Sequence, residues 1–192
     1  MPNRITKVGT NNIRNSQVRD AKKIITFNEL WNNFPSGYPC DKDAFSNQCA
    51  IRVAVALQNC GAPLATYKGV CCWFHKEVKH ALRAEELANW LNKRYLAGWP
   101  AATDITGRDW KEKAADKQGV IFFKDYWLRS GEKIPSGDHI DLWNGSRFPN
   151  TSPISWLGNT LRFGLGVDSI GIPYIQYSDL GGAKKILIWE IV

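Results

Sequence analysis

The chain contains 192 residues, 44% of them hydrophobic, with nine tryptophans and a formal net charge of +7 at pH 7. This length and composition predict one folded domain with a large core, and they exclude a disordered chain and a small fold that depends on disulfides. Because no uninterrupted run of about 18 apolar residues occurs, the chain is not expected to insert into a membrane.

The beginning of the chain lacks the apolar segment of a secretion signal. We therefore expect a protein that is made in the cytoplasm and that leaves the cell, if it acts outside, by a route that needs no signal peptide. Its positive charge is spread in short pairs such as Lys22-Lys23 and Lys184-Lys185. Such a charge suits an anionic partner, whether nucleic acid, a membrane face or an acidic wall polymer, as well as it suits a solvated surface.

The first elements are predicted from polarity and from a capping pattern. Residues 1–24 are polar and basic, and they are predicted to form an arm that precedes a single domain over residues 25–192. Thr26 and Glu29 have the spacing of a capping box, which predicts a short helix over residues 27–34. The domain is therefore expected to begin with a capped helix.

The next segments alternate between loop and helix. Residues 37–48 are rich in turn-forming residues and predict a loop. An apolar helix is expected from Cys49 to about Asn59, and an amphipathic helix is expected over residues 75–97, where apolar residues recur near helical spacing. A shorter helix is predicted over residues 107–116. These patterns make the first part of the domain mainly helical.

Strand patterns follow in the C-terminal part of the chain. A continuous apolar run, residues 119–123, predicts a buried strand, and Asn144-Gly145 predicts a tight turn between strands 139–143 and 146–150. Further predicted elements are a short helix over residues 154–162 and strands over residues 174–177 and 186–191. Helices first and strands later indicate an α+β fold in which one helix packs on an antiparallel sheet.

Cys49 is the first candidate for chemistry. The polar residues Ser46-Asn47-Gln48 run directly into the apolar helix, which places this thiol at a helix N-terminus. Unpaired backbone N–H groups and the positive end of the helix dipole favour a thiolate there. Cys49 is therefore the predicted nucleophile, and its backbone N–H is a predicted donor to the oxyanion of an acyl-transfer reaction.

His139 is one of only three histidines in the chain and is the predicted base. Counting outward from a two-residue turn at Asn144-Gly145 places Asn150 opposite His139, where its amide would orient the imidazole. Asp141, two residues along the same strand, is the alternative partner of the imidazole. The sequence thus predicts a Cys-His-Asn arrangement and leaves a Cys-His-Asp arrangement open.

Four other side chains are candidates for contacts with a substrate. A second oxyanion donor is expected from the loop that precedes Cys49, where Gln48, Asn47 and Tyr38 are candidates. Trp143 is a candidate stacking platform, although core packing is the commoner role of a tryptophan. The residue pattern does not rank these four.

No metal site or other cofactor is predicted. His75 and His80 are five residues apart, which is not the spacing that puts two ligands on one helix face. The four cysteines other than Cys49 lack the paired spacing of a structural zinc site and are interpreted as small buried hydrophobic residues. They are Cys40, Cys60, Cys71 and Cys72.

Two segments resemble the signature blocks of the fourth family of type VI secretion amidase effectors. They are Phe-Ser-Asn-Gln-Cys-Ala-Ile-Arg over residues 45–52 and Gly-Asp-His-Ile-Asp-Leu-Trp-Asn-Gly over residues 137–145. Weaker similarity extends to residues 27–31 and 186–190. The resemblance implies a papain-like, NlpC-type cysteine peptidase fold, in which the cysteine of the first block is the nucleophile and the histidine of the second is the base.

The resemblance also implies a function. It implies a peptidoglycan amidase that cleaves the γ-D-glutamyl–meso-diaminopimelate bond of stem peptides, and that acts as an antibacterial toxin in the periplasm of a target bacterium. The implied partners are the stem peptides, the secretion apparatus and an immunity protein, with no nucleic acid. Family members place an aspartate where this chain has Asn150, and some hold a nearby disulfide that this chain cannot form, since no cysteine follows Cys72.

Two other functions compete with this one. The chain would also suit another cysteine hydrolase or deamidase toxin that acts on a protein or a small amide. A non-catalytic basic module that binds wall polymer or nucleic acid is the second alternative. Such a module would have an unreactive Cys49, and its binding would weaken steeply with salt.

Overall fold

The structure is a computed structural model that describes residues 23–127, 131–150, 171–172, 175–176 and 180–192. Its described part combines α-helices with a four-stranded antiparallel sheet and a separate two-stranded ribbon. A helix packs on the antiparallel sheet, so the predicted α+β fold class is confirmed.

Some predictions fall outside this description. The N-terminal arm lies almost wholly before residue 23, and the helix predicted over residues 154–162 lies in a segment that is not described. Only two residues of the strand predicted over residues 174–177 are described. They form strand β5, Ile175–Gln176, which pairs with β4, Gly171–Ile172.

The first two helices begin where the sequence predicts. Helix α1 spans Phe27–Asn32, and its capping box is complete, because Thr26 Oγ1 accepts from the Glu29 N–H while the Glu29 carboxylate accepts from the Thr26 N–H. Helix α2 spans Cys49–Asn59 and buries most of its apolar side chains. Both predicted helix starts are therefore confirmed.

The amphipathic helix predicted over residues 75–97 is wrong at both ends. Helix α3 spans only Ala84–Asn92. The preceding residues form a hairpin-like loop instead, in which the Cys72 N–H donates to the His80 carbonyl and the Leu82 N–H donates to the Val70 carbonyl. Tertiary pairing of this backbone overrides the helical spacing of its apolar residues.

The main sheet has the strand order β1-β6-β2-β3 and is antiparallel throughout. Strand β2 is central and longer than predicted, because its pairing with β3 and β6 continues past residue 123. The helix between the first two strands, α4, is shorter than predicted. The elements are β1, Thr103–Asp104; α4, Trp110–Ala114; β2, Gly119–Trp127; β3, Gly137–Trp143; and β6, Lys185–Glu190.

The predicted hairpin after β3 is wrong. The Asn144 side chain accepts hydrogen bonds from the backbone N–H groups of Ser146 and Arg147, which makes a local side-chain turn. Residues 146–150 form no strand. Strand β3 pairs with β2 instead, and Phe123 is the residue opposite His139.

Two apolar clusters lie on the sheet. Helix α2 packs against β3, and α3 packs against β2 and β3, so the first helix residue of α2 lies near an outer strand of the described sheet. The second cluster is rich in aromatic rings and includes Trp110, Phe123, Trp143 and Phe148. No helix in the described part of the chain is long and apolar enough to cross a membrane.

Candidate active site

Cys49 is the first residue of α2 and is almost completely buried, with 9% of its surface exposed. The residue before it, Gln48, makes no side-chain cap. The backbone N–H groups of the first helical turn are therefore not bonded by the side chain of the N-cap residue. The Cys49 N–H itself donates to Asn47 Oδ1 over 3.4 Å, which is long for such a bond. The thiol therefore lies where a helix terminus favours negative charge.

His139 projects from β3 and contacts both of the groups that a base in such a site requires. Its Nε2 lies 3.4 Å from Asp141 Oδ2, and Cys49 is the second side chain that raises its pKa. Burial disfavours the imidazolium, but the hydrogen bonds to Asp141 and Cys49 outweigh it and raise the pKa of His139 to about 10. The arrangement favours the protonated imidazole of His139.

Aromatic side chains surround the imidazole. The ring centroids of Phe123, Tyr126 and Phe148 lie 6.4, 6.3 and 5.9 Å from that of His139. These rings limit the positions that the imidazole can adopt and exclude water from that side of it. Only about a quarter of the His139 side chain is exposed.

Of the two candidate partners of the imidazole, Asp141 has a described contact with it. Asn150 was predicted from a hairpin ladder, and that ladder does not form, because the chain turns locally after β3. Asp141 was the alternative, and it lies within ion-pair distance of His139 Nε2. Asp141 Oδ1 also accepts from the Leu142 N–H over 2.8 Å, which fixes the carboxylate.

Gln48 holds the loop that leads to the nucleophile. Its buried side-chain amide donates to the carbonyls of Cys40 and Phe45, and its Oε1 accepts from the Cys40 N–H. Because the Gln48 amide is committed to backbone groups, it is a poor candidate for the oxyanion donor that the sequence suggested. Asn47, whose Oδ1 accepts from the Cys49 N–H, is the candidate closest to the nucleophile's backbone.

Of the two remaining candidates for substrate contacts, Tyr38 lies at the surface and Trp143 lies in the core. Tyr38 is exposed, and its ring lies under the Arg52 guanidinium, 5.4 Å from the centroid. Trp143 is buried among aromatic rings, and its Nε1 donates to the Ala114 carbonyl. The prediction of Trp143 as a stacking platform is therefore wrong, because its ring and its N–H are both used in the core.

A surface cavity of about 240 Å³ lies beside the segment that contacts His139. Phe148 packs against the imidazole, and its neighbours in the chain, Arg147 and Pro149, line the cavity. The Arg147 guanidinium stacks 5.3 Å above the Trp31 ring. The other lining residues are Phe34, Pro35, Ser36 and Asn150. Sequence analysis missed Arg147, although it lies only three residues before the predicted Asn150.

Sequence analysis also missed a second group of reactive side chains. Cys40, Cys72, His75 and His80 converge away from the pair formed by Cys49 and His139. The spacing of His75 and His80 excludes a shared face only on a helix, and the structure has no helix over residues 75–80. The short spacing of Cys72 and His75 is the signal in the sequence that pointed to this group.

Comparison with known families identifies the chain. The profile of the family described as type VI secretion system amidase effector protein 4 matches residues 45–189, which include both Cys49 and His139. The chain belongs to this family. It is accordingly an amidase effector of the cysteine hydrolase type that acts on peptidoglycan and is delivered into target bacteria, and cleavage between D-Glu and meso-diaminopimelate is the activity of the amidase effector 4 family.

Solved structures show that the fold is shared. The effector of the Tae4–Tai4 effector–immunity complex from Salmonella Typhimurium is 18% identical, with a TM-score of 0.53, over 87% of this chain and 98% of that one. The corresponding complex from Enterobacter cloacae gives 20% identity and a TM-score of 0.50 over the same shares. No curated protein sequence matches the chain. The predicted family and the cysteine amidase function are confirmed, in preference to a non-catalytic binding module.

Proposed function

We propose that Cys49 and His139 carry out the amide hydrolysis of this amidase effector, and that Asp141 orients the imidazole. The observation that carries the proposal is that the His139 imidazole pairs with Asp141 over 3.4 Å, and that Asp141 and Cys49 are the two side chains that raise its pKa. Since Nε2 faces Asp141, Nδ1 is the ring nitrogen left to exchange a proton with the sulfur. Asn150, the residue predicted from the hairpin, is not included.

Acylation begins from the thiolate–imidazolium pair. The Cys49 sulfur attacks the carbonyl carbon of the scissile amide, and the Cys49 N–H turns from Asn47 Oδ1 to the developing oxyanion. The His139 imidazolium gives its proton to the leaving nitrogen, so the C–N bond breaks and a thioester and a free amine form. The imidazole is then neutral.

Deacylation reverses the roles of the imidazole. His139 takes a proton from water as the water oxygen attacks the thioester carbon, and the carboxylate product leaves. The thiolate and the imidazolium are then restored. With a γ-D-glutamyl–meso-diaminopimelate bond as substrate, the products are a free γ-carboxyl group on D-glutamate and a free amine on diaminopimelate.

The cavity beside Phe148 supplies a binding site for the stem peptide. Stem peptides carry free carboxylates on both sides of the scissile bond, and Arg147 is the cation that lines this cavity. A guanidinium is suited to bidentate contact with a carboxylate. We infer that Arg147 binds a carboxylate of the substrate and so places the scissile bond near Cys49.

The cellular setting follows from the substrate. Peptidoglycan lies in the periplasm, so we propose that the chain acts there after delivery into the target cell. The solved relatives are complexes of an effector with an immunity protein. By the same logic, the producer of this chain protects itself with an immunity protein that covers the Cys49 cleft.

The experiment that tests the proposal is mass spectrometry of the fragments released from sacculi that contain meso-diaminopimelate. The wild type is expected to release fragments with a new diaminopimelate amine, and Cys49→Ala is expected to reduce their release by at least about 10³-fold. Cys60→Ala is the matched control, because Cys60 is also buried but lies at the other end of α2. Undiminished release by Cys49→Ala, with the fold intact, would refute the proposal.

A further inference from the structure

Four side chains from two loops converge on one point. Cys40 comes from the loop before α2, and Cys72, His75 and His80 come from the hairpin-like loop before α3. One ligand atom from each lies within 4.8 Å of all the others. The cysteines and His80 are buried, and His75 is partly exposed.

The two imidazoles turn the same nitrogen toward the sulfurs. The Cys40 Sγ lies 3.1 Å from His80 Nδ1 and 3.5 Å from His75 Nδ1, and the Cys72 Sγ lies 3.3 Å from His75 Nδ1. In a tetrahedral zinc site, with Zn–S of about 2.3 Å and Zn–N of about 2.0–2.1 Å, sulfur and nitrogen ligands lie about 3.5 Å apart. The three sulfur–nitrogen distances are thus close to the edge lengths of such a tetrahedron.

The loop that supplies three of these ligands has backbone pairing only at its ends, where the Cys72 N–H donates to the His80 carbonyl and the Leu82 N–H donates to the Val70 carbonyl. Residues 73–79 contain no helix or strand. Trp73 and Phe74 are 61% and 55% exposed, and their main aromatic contact is with Phe45. A bound metal would fix the middle of this loop, as it fixes loops in small metal-stabilised domains.

The alternative to a metal site is a disulfide between Cys40 and Cys72, whose sulfur atoms are close in space. Such a bond would use neither imidazole, so it leaves the convergence of His75 and His80 without a role. Two thiolates and two imidazoles are, in contrast, a complete ligand set for a closed structural zinc site.

We propose that Cys40, Cys72, His75 and His80 bind one structural Zn²⁺ ion. Binding releases the two thiol protons to solvent, and the two histidines bind as neutral imidazoles through Nδ1. The ion joins the loop before α2 to the loop before α3. It serves the active site indirectly, because the Cys40 backbone is bonded to the Gln48 side chain and Gln48 immediately precedes the nucleophile.

The test is the metal content of the full-length chain, purified under reducing conditions. We expect about one zinc ion per chain in the wild type and less than about a tenth of that in Cys72→Ser. Cys71→Ser is the matched control, because its thiol is next in the chain but faces the Gly69 carbonyl. This control is expected to keep the full zinc content.

A second variant and a spectroscopic readout guard against misfolding. His75→Ala removes the one partly exposed ligand, so it is expected to keep the fold while losing zinc and melting at a lower temperature. Cobalt(II) added to the metal-free wild type is expected to give the visible bands of a tetrahedral site and the charge-transfer band of thiolate ligands, and His75→Ala is expected to change both.

Three results would overturn the proposal. They are a folded wild type without bound zinc that gives no such cobalt spectrum, an equal loss of zinc in Cys71→Ser and Cys72→Ser, and a Cys40–Cys72 disulfide in the active protein. None of these depends on whether Cys49 is the nucleophile, because metal content and cobalt spectra are measured without substrate.

Discussion

At the scale of single residues, the site depends on an imidazole between two groups that carry negative charge. An ordinary histidine has a pKa of about 6.5 and is mostly neutral at pH 7. Asp141 and Cys49 together reverse the effect of burial and raise the pKa of His139 to about 10. Protonated His139 is thus available both to stabilise the thiolate and to protonate the leaving amine.

The first residue-scale prediction concerns Asp141. Its removal takes away the largest of the contributions that raise the pKa of His139, so Asp141→Asn should move the alkaline limb of the kcat/KM profile to lower pH. We also expect kcat to fall by about 10²- to 10⁴-fold, as when the orienting carboxylate of another catalytic triad is lost. The measurement is hydrolysis of a stem-peptide substrate as a function of pH.

Asn150→Ala is the control for this prediction. We expect it to keep the alkaline limb of the wild type, because the turn after β3 prevents the ladder that would have paired Asn150 with His139. A shift of the limb in Asn150→Ala, with none in Asp141→Asn, would return the orienting role to Asn150.

The proposed roles of Cys49 and His139 come from the sequence, whereas the choice of Asp141 over Asn150 comes from the structure. A polar segment that runs into an apolar helix locates the thiol, and a strand histidine supplies the base. Asn150 depended on the geometry of a two-residue turn, and the Asn144 side chain bonds the following backbone in a different way. A side chain that competes for backbone N–H groups can cancel a register that residue counting predicts.

At the scale of elements, the site is held between α2 and the sheet strands β3 and β2. Helix α2 brings the nucleophile at its first residue, and β3 brings His139 and Asp141 from one strand. The central strand β2 supports β3 on one side and β6 on the other. The position of the base therefore depends on the packing of β2 between its neighbours.

The element-scale prediction tests that packing at Gly119. A Cβ atom at this position would lie 1.8 Å from the Trp189 carbonyl oxygen on β6, which is a backbone atom that cannot move aside. Gly119→Ala should therefore lower the free energy of unfolding by about 1–3 kcal/mol or more, as overpacked sites do. Urea denaturation measures it, and a variant as stable as the wild type would contradict the register of β2 and β6.

The sequence predicted these elements unevenly. The capping box of α1 and the start of α2 depend on local side-chain chemistry, and both helix starts are correct. The helix predicted over residues 75–97 does not form over residues 75–83, because backbone pairing between residues 70–72 and 80–82 makes that segment a loop. Pairing between distant segments has no signature in hydrophobic spacing.

At the scale of the whole molecule, the net charge of +7 suits a substrate polymer that carries carboxylates. The cavity beside Phe148 adds a local positive charge, since Arg147 lines it and stacks on Trp31. Family membership and the papain-like fold were predictable from the two sequence blocks, but this cavity was not. It combines residues from α1, from the loop after it and from the turn after β3, which only the fold brings together.

The whole-molecule prediction concerns substrate binding at this cavity. Arg147→Gln should raise KM for a soluble stem peptide by about 10- to 150-fold and change kcat little, because one charge-assisted contact to a carboxylate is worth about 1.5–3 kcal/mol. Lys113→Gln is the control, since Lys113 is an exposed cation on α4 that pairs with Asp109, the residue before this helix. An equal rise of KM in both variants would attribute the effect to overall charge and not to the cavity.

The central claim is that amide hydrolysis proceeds through an acyl group on the Cys49 sulfur, with His139 as the base. Mass spectrometry of the protein after rapid mixing with a stem peptide tests it most directly. We predict an added acyl mass on the Cys49-containing peptide of the wild type. The mass should be absent in Cys49→Ala, and it should be absent or much delayed in His139→Ala, because acylation needs the imidazolium to protonate the leaving amine. An acyl group on another residue, or hydrolysis at the wild-type rate by folded Cys49→Ala, would contradict the account.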